Sequence, residues 1–335
     1  MHTIILMMHI TPLTAQTQAV LVCADDERQA ALRTLALAGA DISHVLLEKN
    51  VARGWYSLWH TRSPQFGQHR TGCLGHFYAD TRETALALLA HAVQQARERG
   101  VSYLIGPLDG DTWHGYRLTT DTCGHLPFFL DRLTPTDWPG YFLDAGFGAI
   151  AEYFSTEAPA SPYEESAAQA WEKRFLAGGQ WRLRALNLED FEGELRRIYE
   201  LSCRAFARNF LYTPIEWPAF LSQYLPLRPL IRPEFVRMAF RGEELAGFCL
   251  CLPDYEQTKR GEAIDALILK TFARDPDPAY KGLGAFLLWH CHVLAAEHGF
   301  KRLITAFMHE DNASLRLTLK AGAIIRKYAL YGRGV

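Results

Sequence analysis

The chain has 335 residues, with 35 Lys and Arg against 37 Asp and Glu and a formal charge of −2 at pH 7. That length buries a sizeable core, as one large unit or two of ordinary size. The balanced charge lacks the broad basic footprint that DNA or RNA requires, so nucleic acid is excluded as a partner.

The first apolar stretch, Ile4 to Ile10, is too short to span a bilayer, is broken by His9 and lacks a basic start. It is read as a first strand or a lead-in. Seven cysteines, an odd number without a Cys-x-x-Cys, fit reduced thiols. The expectation is a cytoplasmic protein with no membrane partner.

An amphipathic run from Leu88 to Gly100, followed by Leu104 and Ile105, predicts a helix that ends in glycine and leads into a strand. From Ile105 to Leu118 the density of Gly, Pro and Asp predicts a long loop with special backbone angles, carrying Trp113, Tyr116 and Arg117 as large contact groups. That loop is either a functional surface or a buttress between two parts of the molecule; long ordered loops tend to be used. Thr156 to Pro162 has a linker composition, Tyr163 to Leu176 reads as a polar helix, and Trp181 to Leu186 as a new first strand.

Leu195, Ile198, Tyr199, Leu201, Ser202 and Phe206 recur at helical spacing and predict a core face. The aromatic, Pro-rich stretch behind them, with Phe210, Tyr212 and Trp217, lines a substrate groove or walls it with packed rings. Cys249 and Cys251 alternate in an apolar strand and face one side of it; a metal there needs two more ligands, and no metal is predicted. Asp254 and Tyr255 follow that strand.

Ala266 to Ala273 is a further strand, and Tyr280 to Ala285 joins it to a helix from Ala285 to His298. Gly282 and Gly284 let the backbone approach a ligand, the N–H groups of the first helical turn face an anion, and Lys281 adds charge. His290 and His292 lie about 200° apart on that helix and do not converge on one ion. His309 to Ser314 is a cap-like cluster opening a short helix that ends at Ala321-Gly322, before a strand from Ile324 to Tyr331.

The two halves repeat. Leu88 to Gly100 matches Leu287 to Gly299 at a constant offset of 199, Leu104-Ile105 then matches Leu303-Ile304, and Ala145-Gly146 parallels Ala321-Gly322. At that offset Glu83 and Ala85 fall opposite Gly282 and Gly284, so the first copy puts a carboxylate and a side chain where the second is open.

The order of strand, glycine loop, helix, strand, Asn-capped helix, Gly and strand resembles the GNAT superfamily of CoA-dependent acyltransferases. The resemblance covers roughly Trp181 to the C-terminus. It implies an α/β, mixed α+β, fold of two tandem GNAT-like domains, each a twisted mixed sheet flanked by helices. The divisions are residues 1–157 for a copy without the CoA loop, 158–179 for a linker and polar helix, and 180–335 for the acyltransferase domain.

The resemblance further implies acetyl-CoA or another acyl-CoA as co-substrate, and a small-molecule or peptide amine as acceptor. Lys281, Gly282, Leu283, Gly284, Ala285 and Asn312 then hold the cofactor, and a backbone N–H near Phe272, Ala273 or Arg274 meets the thioester oxygen. Glu262 and Asp265 are the candidate bases, with Asp254 and Tyr255 as alternatives. Tyr331 or Tyr328 is the candidate acid, and Phe210, Tyr212, Trp217 and Tyr255 are the candidate acceptor contacts. Two positions depart from the family pattern: Ala279 stands where the loop motif begins with Arg or Gln, and Thr318 where many members carry an acid-acting Tyr. A non-catalytic binding module, or transfer of an aminoacyl or long-chain acyl group, are the alternative readings.

Overall fold

A computed structural model describes residues 8–14, 21–23, 25–35, 39–161, 170, 172–175 and 179–335. The first half runs β1 (Met8–Pro12), α1 (Asp26–Leu35), β2 (Ile42–Glu48), β3 (Val51–Trp59), β4 (Thr71–Ala79), α2 (Arg82–Glu98), β5 (Tyr103–Gly106), β6 (Leu118–Asp121), α3 (Trp138–Asp144) and β7 (Gly148–Pro159). The second runs β8 (Trp181–Ala185), α4 (Phe191–Phe206), α5 (Trp217–Tyr224), β9 (Val236–Arg241), β10 (Glu244–Pro253), α6 (Tyr255–Lys259), β11 (Ala266–Arg274), α7 (Leu283–Glu297), β12 (Arg302–His309), α8 (Ala313–Thr318) and β13 (Ala323–Gly334).

Local chemistry accounts for the paired long helices. Thr81 caps α2 by accepting from the Thr84 N–H, and Leu88, Leu89, Ala92, Val93 and Ala96 form its buried stripe. At the offset of 199, Glu98 and Glu297 are the last residues of α2 and α7. Each helix lies on a glycine of the strand beneath it. An ideal Cβ at Gly54 of β3 comes within 2.8 Å of Leu88, and one at Gly247 of β10 within 3.0 Å of Leu287, so only glycine admits this close helix-to-sheet approach.

All the strands join one mixed sheet in the order β1-β2-β3-β4-β5-β13-β7-β12-β11-β10-β9-β8, with β6 beside β13. Its centre is an exchange. β13, the last strand of the second half, lies between β5 and β7 of the first, with Tyr331 opposite Gly106 on one side and Ala149 on the other. β7 in turn lies between β13 and β12, with Thr156 opposite Thr305 and Ile324. Each half is thus completed by a strand of the other. The exchange sets the two halves antiparallel, and their helices α2 and α7 pack into separate cores.

The structure corrects the composition-based linker. Thr156 to Pro159 belong to β7, Thr156 and Ala158 are buried, and these residues pair with β12 and β13. Small residues and a proline at a strand end read as a linker when the partner strands lie far along the chain. Most of the polar helix at Tyr163 to Leu176 lies outside the described residues. Among the described residues no helix is long and apolar enough to cross a membrane.

Candidate active site

β11 and β12 run parallel and pair only from Ala266↔Arg302 to Leu269↔Thr305. Beyond that point β12 follows β7, with Met308 opposite Phe154 and His309 opposite Tyr153, and β11 stays with β10. The two strands splay into a wedge. β11 also carries a bulge: Leu250 faces Thr271 and Cys251 faces Leu269, leaving Lys270 as the extra residue.

The bulge sets which amides face the wedge. The Asp275 N–H donates to Ala246 O on the β10 side at 2.8 Å, so by alternation Ala273 and Thr271 also turn to β10, and Phe272 and Arg274 turn away into the wedge. Of the predicted backbone donors, Phe272 and Arg274 have the required direction. Ala273 is corrected: its amide belongs to the β10 ladder.

Between β11 and α7 the chain makes a self-bonded loop. Asp275 accepts from the Asp277 N–H at 3.0 Å and from Arg204 Nε at 3.1 Å, and Asp277 caps the Ala279 N–H at 2.7 Å. Arg274 Nη1 donates to the carbonyl of Asp275 at 2.7 Å. Tyr280 is buried against Trp181, ring centroids 5.7 Å apart, while Lys281 is exposed. Gly282 then caps the helix with φ 94°, a left-handed conformation that glycine adopts without strain.

The Phe286 N–H is the first of α7 to reach back, to Gly282 O at 3.1 Å, so the amides of Leu283, Gly284 and Ala285 have no intrahelical acceptor. An ideal Cβ at Gly284 meets only Phe272 Cε2 at 3.8 Å and Arg274 Cδ at 4.0 Å, which is ordinary contact. The protein's own packing therefore does not require glycine there.

Several predicted site residues lie elsewhere. Asp265 precedes β11 at the end opposite the splay, about 23 Å from Phe272 at ~3.3 Å per strand residue. It accepts from Arg302 Nη2 at 2.6 Å and Gln257 Nε2 at 2.8 Å. Burial raises its carboxyl, but those hydrogen bonds outweigh it and hold the group below the ordinary range. Glu262 is exposed at the same end, where Arg260 hydrogen bonds hold it low. Neither carboxylate is placed to act as base. Asp254, beside them, accepts the Phe129 N–H at 2.7 Å and ties the two halves together.

Tyr331 is corrected as well. It is buried in the core of the first half against Phe142, 5.7 Å between rings, because β13 is the exchanged strand. Asn312 is a helix cap, accepting from the Ser314 N–H at 3.0 Å. Thr318, buried in α8, donates to Leu315 O at 3.1 Å and offers no acid in place of the family Tyr.

The candidate acceptor contacts divide. Phe210 sits at the seam of the halves, 6.0 Å from Phe66 and 5.3 Å from His309. Tyr212 borders the seam, its hydroxyl on Cys203 O at 3.3 Å and its pKa pushed up to about 12 by burial. Trp217 packs on Tyr199 under Arg196. Tyr255 lies with Asp254 at the far end, its hydroxyl on Leu230 O. Two clefts, of about 490 Å³ along residues 60–71 and about 230 Å³ around Asp254 and Arg302, have no lining residue from the wedge or the glycine loop.

Cys291 of α7 joins Cys249 and Cys251, the three sulfurs within 4.8 Å of one another in the buried core. Gly54 pairs with Ala79 as Gly247 pairs with Arg274. By that alignment the first half carries Tyr56 and Leu58, and by the helix offset of 199 Ala92, at the three positions.

Residues 195–323 match the model of the acetyltransferase (GNAT) family. Among solved structures, a tandem GNAT protein from the clavulanic acid biosynthesis pathway aligns over 98% of this chain and 98% of its own, with TM-score 0.52 and 14% identity. A GCN5-related N-acetyltransferase from Anabaena variabilis aligns over 98% of this chain and 72% of its own, with TM-score 0.54 and 10% identity. A protein of unknown function from Enterococcus faecalis, described as a probable N-acyltransferase, aligns over 98% and 72%, with TM-score 0.55 and 9% identity. At these identities the likeness is one of fold. No curated protein matches the chain by sequence.

Proposed function

We propose, on the premise that residues 195–323 carry a domain of the GNAT acetyltransferase family, that this chain is an acyl-CoA-dependent N-acyltransferase with its donor site between β11 and α7. The observation that carries the reading is the continuity of the wedge with the helix start. Phe272 and Arg274, whose amides turn away from β10, lie beside the helix start, where a Cβ at Gly284 would meet them at 3.8 and 4.0 Å, and Gly282 caps that helix without a side chain.

In this reading the amides of Leu283, Gly284 and Ala285 hold the diphosphate of acetyl-CoA or another acyl-CoA, with the helix dipole behind them. Lys281 and Arg274 add charge at the mouth. The Phe272 N–H is fixed in a strand, so it meets a developing oxyanion without reorganising. Bound there, the thioester supplies the acyl group: the acceptor nitrogen bonds the carbonyl carbon, the C–S bond breaks, and the proton lost by nitrogen neutralises the departing thiolate directly or through solvent. The chain's task is chiefly positioning. The acceptor is a small-molecule or peptide amine, and the seven cysteines without a Cys-x-x-Cys support a cytoplasmic location.

Calorimetric titration with coenzyme A tests the donor site. One site is expected, and Gly282→Glu, which strains the left-handed cap and adds like charge, weakens binding by about 100-fold, or ~2.7 kcal/mol. Wild-type protein without measurable affinity rejects the proposal. Normal affinity with no turnover over a broad amine panel favours a binding module, the reading that Ala279 and Thr318 support.

A further inference from the structure

The loop from Ile105 to Leu118 reaches into the second half. Trp113 Nε1 donates to Thr213 O at 2.8 Å, and its ring packs among Phe206, Tyr212 and Phe220. Four residues on, Arg117 adopts φ 65°, a conformation that costs a non-glycine residue and clusters at functional sites. Its guanidinium carbon lies 4.1 Å from the ring centre of Phe307, 4.3 Å from Tyr116, 5.3 Å from Tyr153 and 5.4 Å from Tyr328. Its Nη1 is buried without a hydrogen-bond acceptor. The neighbouring Asp131 carboxylate accepts the Tyr328 hydroxyl at 3.1 Å and forms an ion pair with Arg326, Nε to Oδ2 2.6 Å, without hydrogen-bond alignment.

Tyr153 has a second such neighbour. The His309 ring stands edge-on to it, 5.1 Å between centroids. His309 Nδ1 accepts the Asp311 N–H at 3.1 Å, which places the proton of the neutral ring on Nε2, and Nε2 is likewise buried without a partner. Two N–H donors, one on a guanidinium, therefore flank a single tyrosine with no acceptor for either. Buried donors are rarely left so.

This cluster is on the acceptor side. Tyr153 packs with Leu211 and Phe210, from the connection between α4 and α5, and α7 belongs to a different cluster. A donor lying along the start of α7 and a ligand between Arg117 and His309 approach the sheet from opposite faces. Aromatic walls and two N–H groups suit a flat anion with two oxygens.

We propose that Arg117, from the first half, and His309, from the second, together recognise a carboxylate on the acceptor, so that the acyl group goes to an amine that also bears a carboxylate. The inference rests on the reading of α7 as the donor site, and the experiment keeps the two apart.

The probes are the twenty common amino acids, β-alanine and 4-aminobutyrate, each paired with its carboxamide and titrated by calorimetry into protein saturated with coenzyme A, with turnover measured on acetyl-CoA. At least one amino acid is expected to bind tenfold or more tightly than its amide. Arg117→Gln and His309→Phe each remove that preference, with coenzyme A affinity unchanged, and Arg117→Lys, which keeps the charge and much of the packing, retains part of it. Equal binding of acids and amides overturns the proposal, as does binding of neither with coenzyme A bound, or a preference that survives Arg117→Gln in folded protein. Failure of coenzyme A to bind, with amino acids still bound through Arg117, rejects the donor site and leaves this one standing.

Discussion

The two halves build the same wedge and treat it oppositely. In the first half β4 and β5 pair from Thr71↔Tyr103 to Cys73↔Ile105 and then part. There β5 ends and its own chain turns back into the gap: the Leu108 N–H donates to Leu74 O at 2.7 Å, and the Asp109 carboxylate takes the His76 N–H at 2.5 Å. Only Asp80 and Thr81 separate β4 from α2, and Thr81 caps the helix that Gly282 leaves open in the other half. One half supplies a strand amide with a protein carboxylate, and the other turns the amides of Phe272 and Arg274 away from β10, beside the glycine loop. The fold provides the opening; the chain that follows each splayed pair decides whether a ligand or the protein occupies it.

Separating the halves is the severest test. Residues 1–161 alone lack β13, which belongs between β5 and β7, and are expected to be insoluble or to lack fixed tertiary structure by near-ultraviolet circular dichroism. Co-expression with residues 162–335 restores a soluble complex. A well-folded first half on its own rejects the exchange.

Next in size is the buried ion pair that spans the seam. Asp131 and Arg326, with side chains 0% and 4% exposed, meet at 2.6 Å. Asp131→Asn leaves the guanidinium buried without its counter-charge and is expected to cost about 3–5 kcal/mol in denaturant unfolding. A loss below 1 kcal/mol contradicts the role given to the pair.

Asp109→Ala frees the His76 amide within the plugged wedge, at a cost of roughly 1–3 kcal/mol. Coenzyme A stoichiometry nevertheless stays at one per chain, because the short connection and Glu83 leave no anion site at α2. A second bound equivalent breaks the comparison.

The smallest effect is a pH dependence at the seam. His114 Nδ1 lies 2.7 Å from Asp111 Oδ1, and that hydrogen bond raises its pKa above 6.5 although burial opposes it. A raised folded value means stability fully present below pH 6.5 and lost as pH climbs through the higher value. His114→Gln is expected to flatten the Tm profile across that interval; an unchanged profile removes His114 from the seam's energetics.

The helices, the glycine loop and the repeat at 199 were legible because capping and periodicity are local. The helix read as Ala285 to His298 runs from Leu283 to Glu297, with Gly282 as its left-handed N-cap. The bulge at Lys270 was not legible: one extra residue exchanges which neighbours face the wedge, separating Phe272 from Ala273. The exchange was also hidden, since β7 and β13 are strands of equal length whose partners lie far along the chain. It moved Tyr331 into the first half's core and turned an apparent linker into a strand. Arg117 was legible as a loop contact, but its unpaired N–H arises only where both halves meet.

The shared central strands also impose an order of assembly. Gly106 and Tyr331 are paired neighbours made roughly two hundred residues apart, and such distant pairing slows folding. While the second half is being synthesised, the nascent first half exposes unsatisfied strand edges at β5 and β7, the surfaces that invite aggregation or pairing with another chain. Those two edges are closed against each other only once β13 has been made.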